Sequence, residues 1–154
     1  MYFDGACQPK NPGGVASWGI VIVNPEDGRI LHKEHGIVVD STPTTNNLAE
    51  YSGCLMGVIK AKDLGVSRIL IRGDSQLVIN QIQDLWNCNS DTLRKYKEEI
   101  QGVLKNFENV VYQWIPREKN SVADSLTNEA YIEYCKQNDL KVQFFKRKEK
   151  RWIE

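Results

Sequence analysis

Residues 45–64 read Thr45-Asn46-Asn47-Leu48-Ala49-Glu50-Tyr51-Ser52-Gly53-Cys54-Leu55-Met56-Gly57-Val58-Ile59-Lys60-Ala61-Lys62-Asp63-Leu64, and here the hydrophobic period of the chain changes. Leu48, Tyr51, Leu55, Val58, Ile59 and Lys62 recur at three and four, the spacing of one helix face, and Leu64-Gly65 supplies the stop. Gly53 and Gly57 follow Glu50 by one and two turns on the same side, where missing side chains let a helix lie close on a sheet. Upstream the pattern is that of strands. Tyr2-Phe3 leads through Asp4-Gly5 into the turn-rich stretch Gln8-Pro9-Lys10-Asn11-Pro12-Gly13-Gly14, residues 16–23 are rich in Val, Ile and Trp, and residues 29–39 follow a second turn at Asn24-Pro25-Glu26-Asp27-Gly28. Three strands joined by turns make an antiparallel meander.

Downstream, residues 68–72 read as a strand, 75–82 as a short helix, 91–107 as a longer one, 110–115 as a strand and 120–137 as a closing helix. The order β-β-β-α-β-α-α-β-α predicts an α/β fold whose mixed sheet has three antiparallel strands and then two parallel ones reached through helical crossovers. One domain over residues 1–138 and a tail over 139–154 account for the 154 residues. Lys plus Arg and Asp plus Glu balance at 20 each, so net charge points to no partner. The distribution is uneven: between Lys141 and Arg151, Lys141, Lys146, Arg147, Lys148, Lys150 and Arg151 face a single acid, Glu149, leaving the rest of the chain acidic. That tail reads either as a frayed, solvated end or as an arm that touches phosphates.

The longest apolar stretch, residues 16–23, is far short of the roughly 20 residues that span a bilayer, and no basic n-region precedes it. Cys7, Cys54, Cys88 and Cys135 show no C-x-x-C pairing, as expected of free thiols in a reducing compartment. The expectation is a soluble, cytoplasmic monomer.

Four acids stand at positions that local structure does not demand. Asp4 follows the first apolar pair, Glu50 lies in the second turn of the helix, Asp74 follows Arg72-Gly73 at a strand end, and Asp124 is one turn into the last helix. In open α/β sheets, strand ends and adjoining helix starts converge on one crevice. Carboxylates gathered there repel one another unless a cation neutralises them. Oxygen ligands without His or Cys suit magnesium or manganese, and two ions about 4 Å apart suit phosphodiester chemistry. Taken singly, Asp4 and Asp74 read equally as turn residues, Asp124 as a favourable charge at a helix start, and Glu50 as part of a solvated face. No side-chain nucleophile competes, since Ser52 and Ser75 have no His within their motifs.

Tyr2-Phe3-Asp4-Gly5-Ala6, Thr44-Thr45-Asn46-Asn47-Leu48-Ala49-Glu50, Gly73-Asp74-Ser75-Gln76-Leu77-Val78 and Asn120-Ser121-Val122-Ala123-Asp124 resemble, in order and spacing, the four signature blocks of type 1 ribonuclease H. The resemblance runs from Met1 to about Tyr131. It implies the ribonuclease H-like fold, a five-stranded mixed sheet with flanking helices, and endonucleolytic cleavage of the RNA strand in RNA–DNA hybrids. Two magnesium ions are implied, with manganese as a substitute, and products with 5′-phosphate and 3′-hydroxyl ends. Carried over by position, Asp4 bridges both metals, Asp124 completes the site of the ion that activates water, and Glu50 with Asp74 holds the ion beside the leaving oxygen. Asn11, Asn46, Asn47 and Gln76 match positions that contact the hybrid's minor groove, with Cys7 beside them and Thr45 and Asn120 in the same blocks. Their alternative reading is capping, Thr45 or Asn46 at the helix and Asn11 in a turn.

The chain departs from the better-known bacterial enzymes. Arg117 stands where a mobile catalytic His is expected, in a shortened loop, and Gln83-Asp84-Leu85-Trp86-Asn87-Cys88 replaces a basic handle. The departures resemble the compact form of the family. Trp86 is assigned first to the core and second to a stacking surface. Rival readings are a hybrid-binding module without catalysis, a resolvase or integrase relative, and a purely structural acidic cluster. Double-stranded RNA stays open as a second substrate.

Overall fold

The computed structural model describes residues 1–39 and 43–144. Its elements are β1 (Tyr2–Gln8), β2 (Val15–Val23), β3 (Ile30–Ile37), α1 (Asn46–Asp63), β4 (Arg68–Gly73), α2 (Gln76–Ile82), α3 (Asp91–Leu104), β5 (Asn109–Trp114), a 3-10 turn at Arg117–Lys119 and α4 (Ser121–Gln137). The five strands lie in the order β3-β2-β1-β4-β5. The β1–β2 and β2–β3 pairs are antiparallel, whereas β1–β4 and β4–β5 are parallel. The architecture is the expected one, a meander extended by two parallel strands.

The main core fills the space between one sheet face and α1 with α3, around Phe3, Ile20, Tyr51, Val58, Ile71, Ile82 and Ile100. A smaller cluster of Val21, Ala123 and Leu126 lies on the other face, under α4. Two close approaches set where the helices sit. A Cβ on Gly53 would stand 2.8 Å from the Asp4 carbonyl oxygen, and one on Gly5 would overlap the Ala49–Glu50 backbone, so only glycine lets α1 lie directly on β1. On the opposite face a Cβ on Gly19 would stand 2.5 Å from the Ala123 carbonyl oxygen, which is how α4 reaches β2.

Some expectations shift. β3 is shorter than 29–39 because Arg29 is drawn into the preceding turn, its N–H donating to Asp27 Oδ1 and its carbonyl accepting from Asn24. α3 ends at Leu104 rather than 107, since the Asn106 side chain takes the Val103 carbonyl and closes the helix. Trp86 is not core: it is 46% exposed beside Leu85, on a loop whose N–H groups at Leu85 and Trp86 both donate to the Asn80 carbonyl. The segment Val142-Gln143-Phe144-Phe145 has strand character in the sequence, fit either to add to the sheet edge or to pack on the body, and its described part, 142–144, forms no strand. That stretch instead packs on α4, with Tyr131 Oη donating to the Gln143 carbonyl (2.6 Å) and the Phe144 ring edge-on to Tyr131 at 5.4 Å. The basic residues 146–151 lie outside the described residues.

Candidate active site

Asp4 is the third residue of β1, not its end. The β1–β4 ladder, however, stops at Phe3↔Gly73, while β1 continues beside β2 to Gln8. β4 leaves at the switch between the antiparallel and parallel halves of the sheet, the usual place for a ligand in such folds. Asp4, still within β1, and Asp74, just past the end of β4, are the residues that follow that last pair. Helix α1, pressed onto β1 through Gly5 and Gly53, brings Glu50 over the same point.

One carboxylate oxygen from each of Asp4, Glu50 and Asp74 lies within 4.8 Å of the others. Asp4 is 5% exposed and Glu50 8%. Burial, reinforced by the charge of Asp74 and by contact with Asp124, pushes the Asp4 carboxyl well above the usual range, and the Gly5 N–H only partly offsets this. Glu50 is pushed up likewise, by burial first and then by the charges of Asp4 and Asp74. Among the described residues, Glu50 Oε1 is buried without a hydrogen-bond partner. Buried acids that repel one another, one of them holding an orphaned acceptor, form the donor set expected of a site for a hard divalent cation.

Asp124 joins from the other face. It lies in the first turn of α4, beside Asp4, and its Oδ1 is 3.7 Å from Arg117 Nη2. Arg117 opens the 3-10 turn with its side chain 55% exposed. All four acids predicted from the sequence therefore form one cluster, with Arg117 beside Asp124 at its exposed side.

The polar residues divide. Thr45 caps α1 by accepting from the Leu48 N–H, and Asn11 Oδ1 accepts from the Asn46 N–H. Asn46 Oδ1 accepts from the Cys7 N–H at 2.7 Å, so the oxygens of Asn11 and Asn46 lock the loop to the helix, and among the described residues their NH₂ groups make no hydrogen bond. Asn47 and Gln76 are exposed. Two of the expected substrate contacts, Cys7 and Asn120, have their polar groups engaged within the protein. The Cys7 thiol is buried and donates to the Lys10 carbonyl, with its N–H spent on Asn46. Asn120 is 1% exposed and its amide turns inward, to Phe3 and Asp74.

Sequence reasoning missed two supports. Trp114, at the end of β5, donates its indole N–H to the Asp74 carbonyl at 3.0 Å. Only tertiary structure shows this. Gly19, opposite Asp4 in the β1–β2 register, admits α4 and with it Asp124. A glycine inside an apolar strand is the available signal for such an approach.

This sheet order, with carboxylates from β1, α1, β4 and α4 at the switch point, defines the ribonuclease H-like class. The family profile described as "Reverse transcriptase-like" matches residues 2–130. The chain belongs to the ribonuclease H family, on its type 1 branch. It is 37% identical over 129 residues to the ribonuclease HI of Halobacterium salinarum, covering 84% of this chain and 62% of that protein. The chain thus spans less than two thirds of that relative's length. The crystal structure of RNase H1 from the same archaeon superposes with a TM-score of 0.78 at 36% identity, covering 86% of this chain and 96% of that one. The LC11 RNase H1, crystallised in complex with RNA/DNA hybrid, superposes at 0.77 with 32% identity and coverage of 86% and 96%.

Proposed function

We propose that this chain is an endoribonuclease that hydrolyses the RNA strand of RNA–DNA hybrids, with Asp4, Glu50, Asp74 and Asp124 holding two magnesium ions. The observation that carries the reading is the convergence of three carboxylate oxygens within 4.8 Å, two of them from the buried Asp4 and Glu50, with Asp124 adjoining. Such acids stay close together when bound protons or a cation offset their repulsion, and at neutral pH a divalent cation competes for that place. When bound, divalent cations supply charge neutralisation at the phosphoryl oxygens, a nucleophile at neutral pH and stabilisation of the departing alkoxide.

The chain's own residues do the rest. Asp4, which meets Glu50, Asp74 and Asp124 alike, would help hold the cations together with all three. Arg117 offers a permanent cation at the rim, suited to a phosphate of the substrate. The NH₂ groups of Asn11 and Asn46, and the exposed amides of Asn47 and Gln76, supply neutral donors of the kind that sense a 2′-hydroxyl in a shallow minor groove. Support for the hybrid as substrate comes from the LC11 relative, whose crystal contains one.

The test is cleavage of end-labelled RNA–DNA hybrid, RNA–RNA, DNA–DNA and single-stranded RNA, each with magnesium, manganese or a chelator. Cleavage of hybrid RNA with either metal and none with chelator is expected. Cleavage in chelator, or none of the hybrid with metal, overturns the reading.

A further inference from the structure

Asn120 occupies the N-cap position of α4, yet its side chain makes no capping bond to the helix. The amide is used elsewhere. Nδ2 donates to the Phe3 carbonyl at 2.8 Å and reaches Asp74 Oδ2 at 3.5 Å. Oδ1 is buried and has no partner among the described residues. The orientation is forced, because a flipped amide would aim its oxygen at two other acceptors. An asparagine kept for stability would satisfy both ends or cap its helix. Here the acceptor end is sacrificed and the donor end is retained.

What that donor joins is specific. The Phe3 carbonyl immediately precedes Asp4, Asp74 is the first residue past the β1–β4 ladder, and Asn120 is covalently four residues from Asp124. Three of the four acid-bearing elements therefore meet at one side-chain amide, at the place where backbone pairing between β1 and β4 has ended. We propose that Asn120 is a positioning residue for the carboxylate cluster, holding β1 at Phe3, the end of β4 and the start of α4 at the spacing at which a divalent cation is taken up. It touches neither the reacting atoms nor the substrate. The inference rests on the metal-site reading given above.

The test uses Asn120→Ala and the near-isosteric Asn120→Leu, which keeps the branched shape but has no donor. Calorimetric titration with magnesium alone and manganese alone should show affinity lowered about 10–100-fold, the usual cost of losing a partner behind a metal ligand. Hybrid cleavage should show a fall in kcat that excess metal partly restores, with KM for the hybrid unchanged within about twofold. In the parent protein, which avoids any folding defect, the Asn120 side-chain NH₂ resonances should shift with magnesium along the same isotherm as the calorimetric titration. Parent-like metal affinity in both variants, with only the melting temperature lowered, overturns the proposal. So does a raised KM at unchanged metal affinity, which would make Asn120 a substrate-binding residue, and so do NH₂ resonances that ignore magnesium. If the parent itself binds no magnesium, the metal-site reading fails first, and that result is recognisable without any variant.

Discussion

Arg117 and Asp124 face one another before and within the first turn of α4, Nη2 standing 3.7 Å from Oδ1. The acid on that side of the cluster thus has a cationic neighbour that is half exposed and able to turn toward a ligand. A guanidinium stays charged at any working pH, so it can hold a phosphate but cannot exchange a proton. Arg117→Ala should lower kcat roughly tenfold, the equivalent of one ~1.4 kcal/mol interaction, with magnesium affinity unchanged. Steady-state kinetics with a magnesium titration decides it; an unchanged kcat makes Arg117 a bystander.

Asp4 and Glu50 are both pushed above their ordinary values, so the folded state binds more protons than the unfolded one. Stability linked to them is therefore fully present below the unfolded value, about 4, and is lost as pH rises from there through the folded values. Melting of the metal-free protein should show the temperature falling over that window and magnesium restoring it most at the high end. Glu50→Gln removes one of the repelling charges and should raise the metal-free melting temperature at pH 7, by about 3 °C for each kcal/mol relieved. A metal-free melt that rises with pH over that window in the parent, and is unmoved by Glu50→Gln, contradicts this.

Much of this is legible in the primary structure, for physical reasons. The change from period two to period three-and-four at Thr45 marks α1, and Gly53 announces the close packing that delivers Glu50 to Asp4. The four acids stand out because they interrupt apolar or turn contexts. The direction of a side chain does not. Asn120 lies 117 residues from the Phe3 carbonyl it serves, and Trp114 lies 40 from Asp74, so no local pattern reveals either bond. Trp86 departs from its expected place because an aromatic in a short apolar run resembles core until the loop's own hydrogen bonds turn it outward.

Trp114 braces the backbone of Asp74 through its carbonyl rather than its carboxylate. Trp114→Phe keeps most of the packing and removes the N–H, a bond worth ~0.5–1.5 kcal/mol. The expected result is a kcat lowered by a few fold with an unaltered KM for the hybrid. Equal changes in both, or a loss confined to melting temperature, remove Trp114 from the site's support.

The tail gives a separate test. Because Gln143 and Phe144 pack on Tyr131, truncation has to spare them and begin after Phe144. If residues 145–154 act as a basic arm, their removal raises KM for the hybrid and flattens its salt dependence by about 0.9 log–log units for each phosphate no longer neutralised, with kcat and melting temperature kept. A lower melting temperature with unchanged KM and salt slope marks the segment as structural.

The most direct measurement compares the parent with Asp4→Asn and Asp74→Asn in cleavage of labelled hybrid at saturating magnesium, with melting curves on the same samples. Each substitution removes a ligand oxygen's charge and preserves shape. The account predicts cleavage lowered about a thousandfold or more, the scale of losing a ~4 kcal/mol transition-state interaction, in variants that melt no lower than the metal-free parent. Activity within about tenfold of the parent in either folded variant would contradict the four-carboxylate centre.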